Sequence, residues 1–171
     1  MDYIAQLMED LDPKFPLIDA AQKNLLNVVK ELVNQGVDIN STNDFKRTAL
    51  MQACVQGHED VVKWLLQNGA NELLTAKNDE TALDFALYNG HVKIAQILIN
   101  HNPEVLQGKL GQNALRIARD SKNVELIELI EIAQKTPEVM KSAFDKFKAL
   151  DKAAAIHKPQ QKQVQPKPPK K

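Results

Sequence analysis

Apolar and small residues recur at a fixed spacing along most of the chain. Leu17, Leu50 and Leu83 occupy equivalent positions 33 residues apart, and Leu115 follows after 32. A period of this size is typical of stacked repeats, in which each unit buries its apolar face against the next. The spacing therefore predicts about four copies of one small structural unit.

Each unit shows the pattern of two short helices. In the second unit Leu50, Ala53 and Cys54 mark the buried side of an inner helix, and the pairs Val61-Val62 and Leu65-Leu66 mark that of an outer helix. Small residues recur where inner helices meet. Left-handed residues are expected to end the outer helices at Gly36, Gly69 and Asn102.

The pattern divides the chain into four parts and predicts an all-α solenoid. Ile4, Leu7, Met8 and Leu11 have helical spacing, as do Met140, Ala143, Phe144, Phe147 and Leu150 near the other end. The first helix either covers the first unit or binds a partner, and the last either closes the array or binds a partner. The predicted parts are a capping helix (1–13), the array (14–134, with units 14–42, 43–75, 76–107 and 108–134), an amphipathic helix (135–156) and a disordered tail (157–171).

Charge is unevenly distributed although the formal net charge is +0. The tail holds five lysines and no acid, so the rest of the chain has an equal excess of acidic residues. No basic, apolar leader and no long apolar run is evident, and the single cysteine, Cys54, cannot form an internal disulfide. These features predict a soluble, cytoplasmic, monomeric protein, without excluding a bacterial protein delivered into a host cell.

Candidate catalytic and metal-binding groups are few. His58 and His91 follow glycines at equivalent positions, which favours a structural hydrogen bond over a metal site. Cys54 is predicted to be buried and inert. No glycine-rich phosphate loop is present. The sequence therefore predicts no enzyme activity, no metal and no cofactor.

The two middle units resemble the ankyrin repeat. Thr48, Leu50, Gly57, His58 and the Gly69-Ala70 pair match its signature, as do Thr81, Leu83, Gly90 and His91. The likeness covers residues 16–132, but the histidine that follows the leucine in the family is replaced by Ile18, Met51, Asp84 and Arg116. The resemblance implies a helix-turn-helix array that binds another protein through its concave face.

Carried onto this sequence, the resemblance places partner-binding residues at the loop tips and on the outward side of the inner helices. Phe45, Arg47 and Tyr88 are the first candidates, because aromatic and arginine side chains dominate interface energy. The alternative for Phe45 is that it folds back onto the preceding turn. The full predicted set is Asp44, Phe45, Arg47, Val55, Gln56, Lys77, Asn78, Glu80, Tyr88, Asn89, Leu110 and Gln112.

The lysine-rich tail supports two further hypotheses. Pro166, Pro169 and Lys171 form a PxxP pattern with a nearby cation, which is compatible with an SH3-type groove. Alternatively, the lysines bind nucleic acid or an acidic membrane, in which case binding must weaken steeply with salt.

Overall fold

The computed structural model describes residues 3–135 and contains nine α-helices and one 3₁₀-helix within that range. The predicted helix at 135–156 and the tail at 157–171 lie outside the described residues, apart from Lys135. The elements are α1 (Tyr3–Glu9), α2 (Pro16–Gln22), α3 (Leu26–Asn34), α4 (Ala49–Gln56), α5 (Glu59–Gln67), α6 (Ala82–Tyr88), α7 (Val92–His101), a 3₁₀-helix (Pro103–Leu106), α8 (Gly108–Asp120) and α9 (Val124–Lys135).

The helices form two layers. The inner helices α2, α4, α6 and α8 contact one another in chain order, and the outer helices α3, α5, α7 and α9 do the same. Each inner helix also packs on the outer helix that follows it, while α1 lies against α3. The predicted all-α solenoid is confirmed.

Small side chains mark the contacts between inner helices. An alanine is fully buried at the same position in every unit, which lets neighbouring backbones approach closely. Larger apolar residues fill the space between the layers, and their burial stabilises each unit only when its neighbour is present. The four equivalent alanines are Ala20, Ala53, Ala86 and Ala118.

Two histidines tie consecutive units together. His58 Nε2 lies 2.9 Å from the carbonyl oxygen of Gln22, and His91 Nε2 lies 3.2 Å from that of Val55. Each carbonyl belongs to the inner helix of the preceding unit. The structural role predicted for these histidines is confirmed.

The turn between inner and outer helix has a left-handed residue in all four units. Its φ angles are 58° at Asn24, 82° at Gly57, 71° at Gly90 and 55° at Lys122. Glycine adopts this conformation without strain, whereas a residue with a Cβ does not. The fourth unit therefore contains a strained lysine where the second and third have glycine.

Replacing Lys122 with glycine is expected to raise the free energy of unfolding by about 1 kcal/mol, because the left-handed strain disappears. Lys122→Ala is the matched control, since it removes the side chain and keeps the Cβ. Urea denaturation of both variants measures the difference. Equal stabilities for the glycine and alanine variants would show that the turn is not strained.

Asn102 is not the left-handed residue that the sequence predicts. Its φ and ψ are −149° and 102°, and its side chain accepts a hydrogen bond from the Glu104 backbone at 3.0 Å. The cause is Pro103, because a residue that precedes proline is driven towards extended conformations. The chain then enters the 3₁₀-helix Pro103–Leu106 instead of an open loop.

The fourth unit also lacks the turn that precedes α4 and α6. Helix α8 begins at Gly108, so Leu110 and Gln112 of the predicted set lie on an inner helix and not in a turn. A Cβ at Gly111 would collide with the Leu106 carbonyl group. The glycine thus allows the extra helical turn of α8 to pack directly on the 3₁₀-helix.

Candidate protein-interaction surface

The turn before α4 presents Phe45 on a rigid support. The Asn43 side-chain oxygen accepts hydrogen bonds from the backbone nitrogens of Phe45 and Arg47, at 2.9 and 3.0 Å. The Lys46 backbone nitrogen donates to the Asn43 carbonyl oxygen at 2.9 Å. These bonds fix the turn, and the Phe45 side chain at its tip is 65% exposed.

Phe45 contacts the following unit through Lys77. The Lys77 ammonium lies 5.8 Å from the centre of its ring, within cation–π range. The Lys77 backbone nitrogen also donates to the Phe45 carbonyl oxygen at 3.1 Å. The two turns are therefore held in register, with the aromatic ring facing solvent.

Contacts between units also position Asp44 and Arg47, the charged residues near Phe45 in the predicted set. The Asp44 carboxylate binds the Lys14 ammonium at 2.8 and 2.9 Å. The Arg47 guanidinium lies 4.7 Å from the centre of the buried Phe85 ring. Contacts with the preceding unit thus hold Asp44, and contacts with the following unit hold Phe45 and Arg47.

Tyr88 lies at the C-terminal end of the inner helix α6, in the unit that follows the one containing Phe45. It is the last residue of α6, is 52% exposed, and its hydroxyl accepts a 3.5 Å hydrogen bond from Arg116. Arg116 also donates to Asn113 at 2.8 Å and to Asp120 at 3.1 Å. The hydrogen bond that Arg116 donates to Tyr88, together with the Asp120 charge, raises the pKa of Arg116.

The structure divides the other predicted residues between two places. Val55 and Gln56 end α4, and Asn89 follows α6, where its side chain donates to the Phe85 carbonyl oxygen at 2.8 Å. Lys77, Asn78 and Glu80 belong to the turn before α6. A groove of about 530 Å³ separates that turn from α8, and its lining is Thr75, Asn78, Asp79, Lys109, Leu110, Gln112, Asn113 and Arg116.

The charges beside this groove are already paired. Lys109 lies 3.5 Å from Asp79, and Arg116 lies 3.1 Å from Asp120. The turn that carries Phe45 differs, because Lys46 and Arg47 form no ion pair with any of residues 3–135. The sequence does not predict that Arg116 hydrogen-bonds Tyr88. The two residues lie on different helices, α8 and α6, which come together only when the units stack.

Asp84 is a buried carboxylate in the first turn of α6. One of its oxygens accepts hydrogen bonds from the Thr81 backbone nitrogen at 2.9 Å and the Thr81 hydroxyl at 3.0 Å. The other oxygen, Oδ1, has no hydrogen-bond partner among the described residues. Burial raises the pKa of Asp84, although the Thr81 hydrogen bonds oppose the change.

The raised pKa of Asp84 predicts how stability depends on pH. The contribution of Asp84 to the free energy of unfolding is greatest below the ordinary pKa of an aspartate, where the carboxyl is protonated in both the folded and the unfolded state. This contribution is lost as the pH rises through the higher pKa of the folded state. Asp84→Asn keeps an oxygen for Thr81 and removes the buried charge. In thermal unfolding, we expect this variant to be at least as stable as the wild type near neutral pH. Its stability should not fall between acidic and neutral pH as that of the wild type does. A variant that is less stable at neutral pH and keeps the wild-type pH profile would contradict this account.

The groups that could carry other chemistry do not form a site in the described part of the chain. Cys54 is buried, and burial raises the pKa of its thiol far above the usual range, which disfavours the reactive thiolate. Residues 3–135 contain no cluster of three acidic, histidine or cysteine side chains suited to a metal ion. In the same range, no helix has both the length and the apolar character needed to cross a bilayer.

Comparison with known proteins adds a family match. A family profile described as "Ankyrin repeats (3 copies)" matches residues 17–109, more than half of the chain. The ankyrin repeat and KH domain-containing protein mask-1 of Caenorhabditis elegans is 34% identical over 116 residues, which cover 67% of this chain and 4% of that protein. Two plant proteins are similar over shorter spans. The probable E3 ubiquitin-protein ligase XBOS34 of Oryza sativa is 36% identical over 92 residues, and the E3 ubiquitin-protein ligase XBAT33 of Arabidopsis thaliana is 40% identical over 88.

The chain spans only a small part of these relatives, 18% of the rice protein and 17% of the Arabidopsis protein. The names of the relatives refer to whole proteins that contain much more than this array.

Proposed function

The chain belongs to the ankyrin repeat family, whose repeats form non-catalytic protein–protein interaction modules, and we propose that it binds a partner protein through its concave face and turn tips. The observation that carries this proposal is the pair of exposed aromatic side chains, Phe45 on the turn before α4 and Tyr88 at the end of α6. Large apolar groups in water cost free energy that a partner recovers by covering them.

The supports matter because they reduce the entropy that binding must overcome. Phe45 is on a turn fixed by Asn43, and Tyr88 is hydrogen-bonded to Arg116. A side chain that is already ordered loses less rotamer freedom in a complex. Phe45 and Tyr88 therefore combine residue types that are enriched at interfaces with positions that hydrogen bonds hold in place.

The test is affinity capture from cell lysate with the full-length chain as bait. We expect a partner that the wild type retains and the double variant Phe45→Ala, Tyr88→Ala loses. Tyr3→Ala is the matched control, because Tyr3 is an exposed aromatic on α1, outside the proposed surface. A partner that is retained equally by the double variant, with the fold intact by circular dichroism, contradicts the proposed surface.

The functions suggested for the tail remain separate predictions. Residues 157–171 lie outside the described part of the chain, and so do Pro166, Pro169 and Lys171. Binding of an SH3-type domain, nucleic acid or an acidic membrane by these residues does not depend on Phe45 or Tyr88. Loss of capture in the double variant therefore distinguishes the array from the tail.

A further inference from the structure

Three cationic side chains accompany the exposed ring of Phe45. Lys46 is exposed at the tip of the same turn, Arg47 follows it, and the Lys77 ammonium is 5.8 Å from the ring centre. We call Phe45, Lys46, Arg47 and Lys77 the cationic tip. It combines an apolar contact surface with positive charge on two turns whose register is fixed by the Lys77–Phe45 backbone hydrogen bond.

The positive charge of the cationic tip is not neutralised within the described chain. Its lysines and arginine form no ion pair with any residue in 3–135. Asp44, the acidic residue in the same turn, is already bound to Lys14 at 2.8 Å. The cations beside the groove at α8 are paired instead, so of these two surfaces the tip offers an incoming carboxylate the greater gain.

We propose that the cationic tip binds an acidic peptide segment that places an apolar side chain against Phe45. This inference rests on the proposed protein-binding function and specifies the chemistry of the partner. Carboxylates of the segment form charge-assisted hydrogen bonds with the lysines, and complementary charge raises the association rate and selects the partner. The ring supplies the buried apolar contact at the centre.

A protein segment fits these observations better than a nucleic acid does. Binding of a nucleic-acid backbone depends on neutralising many phosphates, so it favours an extended basic surface. Residues 3–135 contain more acidic than basic side chains, and their combined field repels a long polyanion. A short acidic stretch on a protein needs only the local charge of the tip.

A random peptide library displayed on phage tests the proposal with the full-length chain as the immobilised target. The peptides that the wild type enriches are expected to contain an excess of Asp and Glu beside an apolar residue. Phe45→Ala and Lys77→Gln should each reduce recovery of these peptides about tenfold, as at a binding hot spot. Lys93→Gln on α7 and Lys167→Gln in the tail are matched charge controls and should leave recovery unchanged.

Several results would overturn the inference. These are no enrichment, enriched peptides without an excess of acidic residues, equal loss with Lys167→Gln, and tighter tip-dependent binding of oligothymidylate than of the selected peptides. A partner captured through Phe45 and Tyr88 that uses a neutral segment would leave the proposed function intact while refuting this chemistry. The two proposals therefore fail separately.

Discussion

Gly111→Ala is expected to lower the free energy of unfolding by about 3 kcal/mol, at the upper end of what overpacking usually costs. The added methyl group would meet the backbone of Leu106, which cannot move aside by changing a rotamer. Helix α8 must then shift away from the 3₁₀-helix. The shift also disturbs the 3.2 Å hydrogen bond from the Gln134 side chain to the Gly111 carbonyl oxygen.

Urea denaturation measures this loss, and hydrogen exchange locates it. Exchange should accelerate first in α8 and α9, because the stability of a repeat array is a sum of local unit and interface terms. Gln112→Ala is the control at the next, exposed position, and we expect it to change stability by less than about 0.5 kcal/mol. Equal stabilities for the two variants would mean that α8 does not pack closely on the 3₁₀-helix.

Gly57→Ala is expected to lower the free energy of unfolding by about 2–3 kcal/mol, because it combines left-handed strain with the loss of one hydrogen bond. The new Cβ would lie 2.7 Å from Cε1 of His91, so the imidazole must move from the Val55 carbonyl oxygen. Gly90 provides the matched control. It has a similar φ of 71°, but a Cβ there meets no atom within 4 Å.

Gly90→Ala should therefore show the strain alone, about 1–2 kcal/mol. The difference between the two variants measures the contact between the second and third units. A double-mutant cycle with His91→Ala should make the two glycine sites equivalent, because the histidine is then absent. If Gly57→Ala and Gly90→Ala cost the same in the presence of His91, the histidine does not couple the units.

The repeat period was sufficient to predict most of the fold. Equivalent alanines and the two turn histidines have the same environment in successive units, so one well-marked unit indicates the others. The errors lie where the period breaks. Pro103 and Gly111 give the chain around the start of α8 a conformation that differs from that of the other units. The sequences of the neighbouring units do not indicate this conformation.

The candidate site was only partly predictable for a related reason. An aromatic at a turn tip is visible in the sequence, so Phe45 could be selected, but its exposure depends on the Asn43 bonds and on Lys77. The interactions of Tyr88 with Arg116 and of Arg47 with Phe85 join residues from successive units. Such pairs are set by the side chains that stacking brings together, which the period alone does not specify.

Above all, we propose that the exposed side chains of Phe45 and Tyr88 bind a protein partner. The most direct test of this claim is titration calorimetry of a captured partner against the wild type, the Phe45→Ala, Tyr88→Ala variant and the Tyr3→Ala control. We predict that the double variant loses at least about 2 kcal/mol of binding free energy, as expected for hot-spot residues, while the control is unchanged. An unchanged Kd for a folded double variant would contradict the claim.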